Sequence, residues 1–224
     1  MAPTSTPLSA LGRLALFDLD NTLFDRASAF AAWSIEFVES RHLDPSALEL
    51  LIAADRDGHA SRSDVFGPLC ERFGLRESPR EIEALYRTQY PTHFVPDPAV
   101  QDALRALRGR GWAVVIVTNG PASQIEKITK CGLDTVVDGW CISDLVGSAK
   151  PDRAIFDAAA DLVGLPLKGW MVGDTSSVDV LGGRSAGLQT IWLARGRPHP
   201  LEPSLAADVT VESIGEAFAV FSGD

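Results

Sequence analysis

Apolar positions along this chain follow two rhythms. Near the start, four apolar residues (LALF) run unbroken into Asp18. Similar short runs occur at AVVIVT (residues 113–118), GWMVGD (169–174) and QTIWL (189–193), with weaker ones at 140–143 and 208–211. Unbroken apolar stretches of this length predict strands buried on both faces. Between residue 18 and residue 113 the rhythm changes. Phe30, Trp33, Phe37 and Val38 follow helical spacing over about 26–40. Leu48, Leu51 and Ile52 mark a second helix after Asp44-Pro45. Val65, Phe66, Leu69 and Phe73 mark a third closed by Gly74, and Ile82, Leu85 and Tyr86 a fourth opened by Ser78-Pro79.

From residue 97 onward strands and helices alternate. Asp97-Pro98 opens a helix with Val100, Leu104 and Leu107 inside, and Arg105, Arg108 and Arg110 read as its solvated face. Pro121 is expected to open a helix with Ile125 and Ile128 inward, and Pro151 one with Ile155, Phe156, Ala159 and Leu162 inward. A further helix is expected from the GWMVGD run to Ala186-Gly187. This alternation predicts an α/β fold with a doubly wound, mostly parallel sheet. The helical interval is too long for a loop and implies a small helical-bundle domain. The expected division is a core of residues 1–24 and 96–224 with an inserted helical domain at 25–95.

Composition narrows the setting. The chain has 224 residues, 46% hydrophobic and 22% charged, a globular balance. Its net charge of −10 argues against a nucleic-acid surface. No apolar run reaches the length of a membrane span, so no membrane partner is expected. Residues 1–11 read as a short loose tail without the charged start and apolar core of a signal peptide. Cys70, Cys131 and Cys141 are scattered and fit small core residues in a reducing, cytoplasmic setting. No heptad or long apolar edge decides between monomer and homodimer.

The chemistry concentrates at strand ends. Asp18 and Asp20 are two residues apart, and on a strand-like path both would face one reacting centre. One carboxylate can attack phosphorus, and the other can protonate the leaving oxygen and later deprotonate water. Asp174 and Asp179, in GDTSSVD, add hard oxygen ligands suited to Mg²⁺. Thr118, Asn119 and Gly120 precede the helix expected at Pro121, where free N–H groups would favour an anion. Lys150, placed just before Pro151, is a cation at an expected helix start, which makes sense beside an anion. In the helical domain, the polar interval DRDGHASR offers Arg56, His59 and Arg62 as contacts to the rest of a substrate.

DLDNTLF (18–24), VTNG (117–120), Lys150-Pro151 and GDTSSVD (173–179) together resemble the haloacid dehalogenase superfamily of phosphohydrolases, over roughly residues 14–193. The resemblance implies that Asp18 is the nucleophile and Asp20 the general acid/base. It implies Mg²⁺ on Asp18, the Asp20 carbonyl and Asp174, supported by Asp179. Thr118, the Asn119 backbone and Lys150 would hold phosphate, 21–26 would be a hinge, and the helical insertion a cap. A carboxylate at Asp20 favours a phosphate ester over a halide, which needs no proton on departure. The expected reaction is Mg²⁺-dependent hydrolysis of a small phosphorylated metabolite of nucleotide or sugar phosphate type. The alternatives are a phosphosugar mutase and a regulatory protein that kept the fold.

Overall fold

The computed structural model describes residues 12–222, so the expected N-terminal tail lies outside the described residues. The chain forms two compact units. One holds the described residues up to Phe24 and those from Pro96 onward, and the other is Asp25–Val95. Among the described residues no helix is long and apolar enough to cross a membrane.

The first unit is built on six parallel strands: β1 (Arg13–Phe17), β2 (Trp112–Thr118), β3 (Gly139–Ile142), β4 (Gly169–Gly173), β5 (Gln189–Leu193) and β6 (Val209–Val211). Their order is β3-β2-β1-β4-β5-β6, with β1 central. β2 is buried throughout and β1 at all but its first residue, as unbroken apolar runs require. Phe17 pairs with Ile116 on one side and Val172 on the other. This register brings Asp18, Thr118 and Asp174 to the same end of the sheet.

Helices α5 (Pro98–Gly109), α6 (Gln124–Lys130), α7 (Ser143–Val146), α8 (Arg153–Leu162), α9 (Leu181–Ser185) and α10 (Ile214–Val220) accompany the sheet. Ile155, Phe156 and Ala159 of α8 join Leu16, Val115 and Met171 in a continuous apolar core. Several boundaries differ from the expectation. α6 starts at Gln124, after a turn through Pro121–Ser123, and that rotation leaves Ile125 exposed while Ile128 is buried. α8 starts at Arg153, with Asp152 in extended conformation at its N-cap, and Leu162 is half exposed at its last turn. The single helix expected after residue 174 is a π-helical turn, Ser176–Val180, followed by α9.

Of the three arginines read as solvated, Arg105 and Arg110 are exposed and Arg108 is half buried. Arg105 pairs with Asp102 at the surface, as expected. Arg108 instead reaches Asp138 at 2.7 Å, and Asp138 also accepts the Val114 N–H at 2.8 Å. Arg110 donates to the Phe221 carbonyl at 3.3 Å.

The second unit contains α1 (Arg26–Ser40), α2 (Ser46–Asp55), α3 (Arg62–Phe73) and α4 (Pro79–Gln89). Their starts and stops are written locally. The Asp25 carboxylate caps α1 by accepting the Ser28 N–H, Ser78 and Glu81 form a capping box on α4, and Gly74 ends α3 in left-handed conformation. The inward stripe is aromatic. Trp33 lies edge-on to Tyr86 at 4.9 Å and to Phe66 at 5.7 Å, with Phe37 at 5.1 Å. Each such ring buries on the order of 150–250 Å², enough to hold four short helices together.

Candidate active site

Asp18 is the first residue beyond β1, and its N–H still bonds the Val172 carbonyl at 2.8 Å. The backbone then folds back on itself. The N–H groups of Leu23 and Phe24 both donate to the Leu19 carbonyl, and Asn21 takes a left-handed conformation. Asp20 therefore stands in a tight turn and not on a strand continuing at period two. The two carboxylates have different neighbours as a result.

Asp18 belongs to a buried cluster. One oxygen accepts the Lys150 ammonium at 2.6 Å, and the other accepts the Thr22 hydroxyl at 3.2 Å. Lys150 also donates to Asp179 at 2.7 Å. Asp18, Asp174 and Asp179 bring carboxylate oxygens within 4.8 Å of one another, and all three residues are buried.

The loop after β4 is built for this approach. The second Asp179 oxygen accepts the Thr175 N–H at 2.9 Å, closing the turn on the residue that follows Asp174. A Cβ on Gly173 would fall 2.3 Å from the Asp179 carboxylate, so glycine is needed there. The Asp174 carbonyl accepts from Trp192 Nε1 at 2.8 Å and from Arg197 at 2.6 Å.

Burial and charge together set the direction of each pKa shift. Burial pushes Asp18 well above the usual carboxylate range, opposed by Lys150 and aided by Asp179 and Asp174. Burial also pulls the Lys150 ammonium down, but the charges of Asp179 and Asp18 outweigh it and its pKa ends raised. Arg197 at 3.2 Å and Arg195 at 3.7 Å reach Asp174 from half-exposed positions, where water screens them. Among the buried groups of the cluster, three acids thus face one ammonium. Hard oxygen donors carrying surplus negative charge fit a Mg²⁺ ion.

Asp20 bonds two side chains of α6. Its carboxylate is paired with the Lys127 ammonium and accepts Gln124 Nε2 at 2.8 Å. Thr118, buried at the end of β2, accepts the other Gln124 N–H at 3.0 Å. The expected anion holder is otherwise occupied in part. The Asn119 amide donates to the Lys150 carbonyl and accepts the Lys150 N–H, both at 2.8 Å. It clamps the lysine loop. The Gly120 N–H donates to Ser143 Oγ at 2.9 Å.

In the second unit, Arg56, His59 and Arg62 surround one short loop. Arg56 and Asp57 are both left-handed, and Arg56 and His59 are exposed. Arg62 is half buried, 3.3 Å from Asp55 and 5.0 Å over the Tyr86 ring. Beneath them lies a buried bidentate pair, Arg26 to Asp55, at 2.6 and 2.7 Å. Gly58 packs directly on it: a Cβ there would sit 2.6 Å from Arg26 Nε.

Comparison with known proteins decides the family. A model of the haloacid dehalogenase-like hydrolases matches residues 13–187. The chain belongs to this family. It is 33% identical to the pyrimidine 5′-nucleotidase YjjG of Escherichia coli, over 89% of this chain and 93% of that one. It is 36% identical to the phosphoserine phosphatase of Thermus thermophilus, over 66% of this chain and 59% of that one. Among solved structures, the L-2-haloacid dehalogenase RSc1362 superposes with a TM-score of 0.73 at 21% identity, covering 95% of this chain and 99% of that one. That likeness speaks to the fold alone.

Within this haloacid dehalogenase-like hydrolase, sequence reasoning missed Gln124, Lys127, Arg195 and Arg197. Gln124 and Lys127 are three residues apart and share a helix face. That spacing was the available signal, but it is common on solvated helices. Arg195 and Arg197 follow a strand end directly, the place where sheets of this kind carry their chemistry.

Proposed function

We propose that this hydrolase of phosphoric monoesters acts on a small phosphorylated metabolite, with Mg²⁺, through an aspartyl-phosphate intermediate. The observation carrying the proposal is the buried Asp18 carboxylate, bonded to Lys150 and grouped with Asp174 and Asp179. Asp18 attacks phosphorus, an acyl phosphate forms, and the bond to the leaving oxygen breaks. Asp20 gives that oxygen a proton. It then takes a proton from water, whose oxygen attacks the phosphorus. Inorganic phosphate leaves and Asp18 is restored.

Lys150 holds Asp18 in place and offsets charge as the phosphate approaches. Thr118 offers its hydroxyl at the same sheet end. Asp18, Asp174 and the Asp20 carbonyl would hold Mg²⁺, with Asp179 supporting them. When bound, the ion supplies positive charge that stabilises the phosphoryl oxygens in the transition state.

A nucleotide or sugar phosphate is the proposed substrate type, its nucleotide arm supported by the relative named as a pyrimidine 5′-nucleotidase. Arg56, His59 and Arg62 are proposed to contact its non-reacting part. A panel of nucleoside monophosphates, sugar phosphates and phosphoserine, ranked by kcat/KM with Mg²⁺ and with chelator, tests this. Hydrolysis of at least one class, abolished by chelator and restored by Mg²⁺, is expected. Full activity in chelator would contradict the metal assignment, and no turnover on any member would contradict the reading as a whole.

A further inference from the structure

Asp20 is held by two buried side chains of α6 that no motif in the chain singles out. Lys127 pairs with one of its oxygens and Gln124 Nε2 donates to the other at 2.8 Å. The two partners are tied to each other, Lys127 Nζ donating to Gln124 Oε1 at 2.8 Å. Gln124 spends its second N–H on Thr118 Oγ1 at 3.0 Å. The Lys127 ammonium also lies 5.2 Å over the Phe24 ring, at the end of the turn that carries Asp20.

The network is built, not incidental. Gln124 and Lys127 are 6% exposed each, although an amide and an ammonium on a short helix would ordinarily reach solvent. Burying an ammonium is costly unless a carboxylate meets it. A glutamine whose amide is saturated on both ends has one orientation rather than several.

We propose that Lys127 and Gln124 are positioning residues for proton transfer, fixing the Asp20 carboxylate relative to the Thr118 hydroxyl. This rests on the reading of Asp20 as proton donor and adds to it. Asp20 sits in an irregular turn, so nothing in the strand ladder sets its side-chain direction. The α6 pair does so from the helix that follows β2. Through Gln124, the proton donor and the phosphate-facing hydroxyl move as one body. Losing that alignment slows the step that needs the proton, and misplacement of about 1 Å can cost on the order of 10²-fold.

The test separates proton delivery from everything else. An alkyl phosphate leaves as a strongly basic alkoxide and needs the proton, whereas 4-nitrophenyl phosphate leaves as a stabilised phenolate and needs it little. kcat/KM reports the step in which that bond breaks. Lys127→Met is expected to lower kcat/KM for the alkyl phosphate by about 10- to 100-fold, with little change for the nitrophenyl ester. Lys127→Arg is expected to restore most of the loss. Asp20→Asn serves as the reference and should show the same selectivity, larger.

If Asp20→Asn is selective and Lys127→Met lowers both substrates equally, or neither, the positioning role is wrong and the reading of Asp20 stands. If Asp20→Asn is itself unselective, the proton-donor reading fails and the inference falls with it. Should Lys127→Met not fold, Gln124→Leu carries the same comparison, because it cuts the link to Asp20 and Thr118 while leaving the lysine pair.

Discussion

Each unit of the molecule buries an ion pair, and the two clusters differ in their arithmetic. In the helical unit, Arg26 meets Asp55 with two hydrogen bonds, and Arg62 adds a half-buried positive charge at the rim. Burial pulls the Arg26 guanidinium down, yet the bonds and charge of Asp55 leave its pKa raised. Counting only the buried residues, one cation there meets one acid. In the α/β unit, Lys150 meets Asp18 and Asp179 with Asp174 close by, so buried acids outnumber the buried cation. A surplus of buried acid leaves a demand for positive charge. Burial and ion pairing are common to both clusters, and of the two only the one around Asp18 holds more buried acids than buried cations.

The same isosteric change should therefore act oppositely in the two places. Asp18→Asn is expected to lower turnover by on the order of 10⁴-fold or more, since the proposed nucleophile is lost. In chelator its unfolding midpoint should hold or rise, because Lys150 keeps Asp179 and surplus charge is removed. Asp55→Asn is expected to cost about 3 kcal/mol of stability, because a buried guanidinium loses its counter-charge. Denaturant unfolding of both variants checks the pair. A destabilised Asp18→Asn with an unaffected Asp55→Asn would reverse the comparison.

Mg²⁺ sharpens the contrast without reference to turnover. At about 100 times its Kd it should stabilise the wild type by about 2.7 kcal/mol, read as a shift in the thermal midpoint. The shift should largely disappear in Asp174→Ala and persist in Asp55→Asn. A shift of equal size in Asp174→Ala would place the ion elsewhere.

The smallest effect belongs to the exposed loop. Arg56→Ala should change stability by less than about 0.5 kcal/mol, while raising KM for the best natural substrate more than for 4-nitrophenyl phosphate. Equal KM changes would return Arg56 to the solvated surface.

The sequence showed much of this because strand and site coincide. LALF, AVVIVT and GWMVG are apolar for burial and stop where the polar residue must emerge, so pattern and chemistry are read together. The stripe of Phe30, Trp33 and Phe37 is equally plain, since helical period alone predicts which side is covered. What the sequence concealed depends on tertiary placement. Gln124 and Lys127 are distant from Asp20 along the chain, and only the stacking of β2 beside β1 brings α6 to it. Asn119 has the chemistry of a ligand, and nothing local distinguishes that from an amide clamping Lys150. The starts of α6 and α8 fall later than Pro121 and Pro151 suggest, because proline is compatible with a turn before a helix as well as with its first residue. α10 is too short to display a period of its own.

In the proposed mechanism Asp18 is the group that receives phosphate. Borohydride reduces an acyl phosphate but not a free carboxylate, turning the aspartyl residue into homoserine. Wild-type protein quenched with borohydride during turnover, then digested and mapped by mass spectrometry, should carry homoserine at residue 18 when substrate and Mg²⁺ are both present, and not when either is withheld. Homoserine at residue 20 or 174 instead, or turnover with no reducible intermediate at any carboxylate, would contradict it.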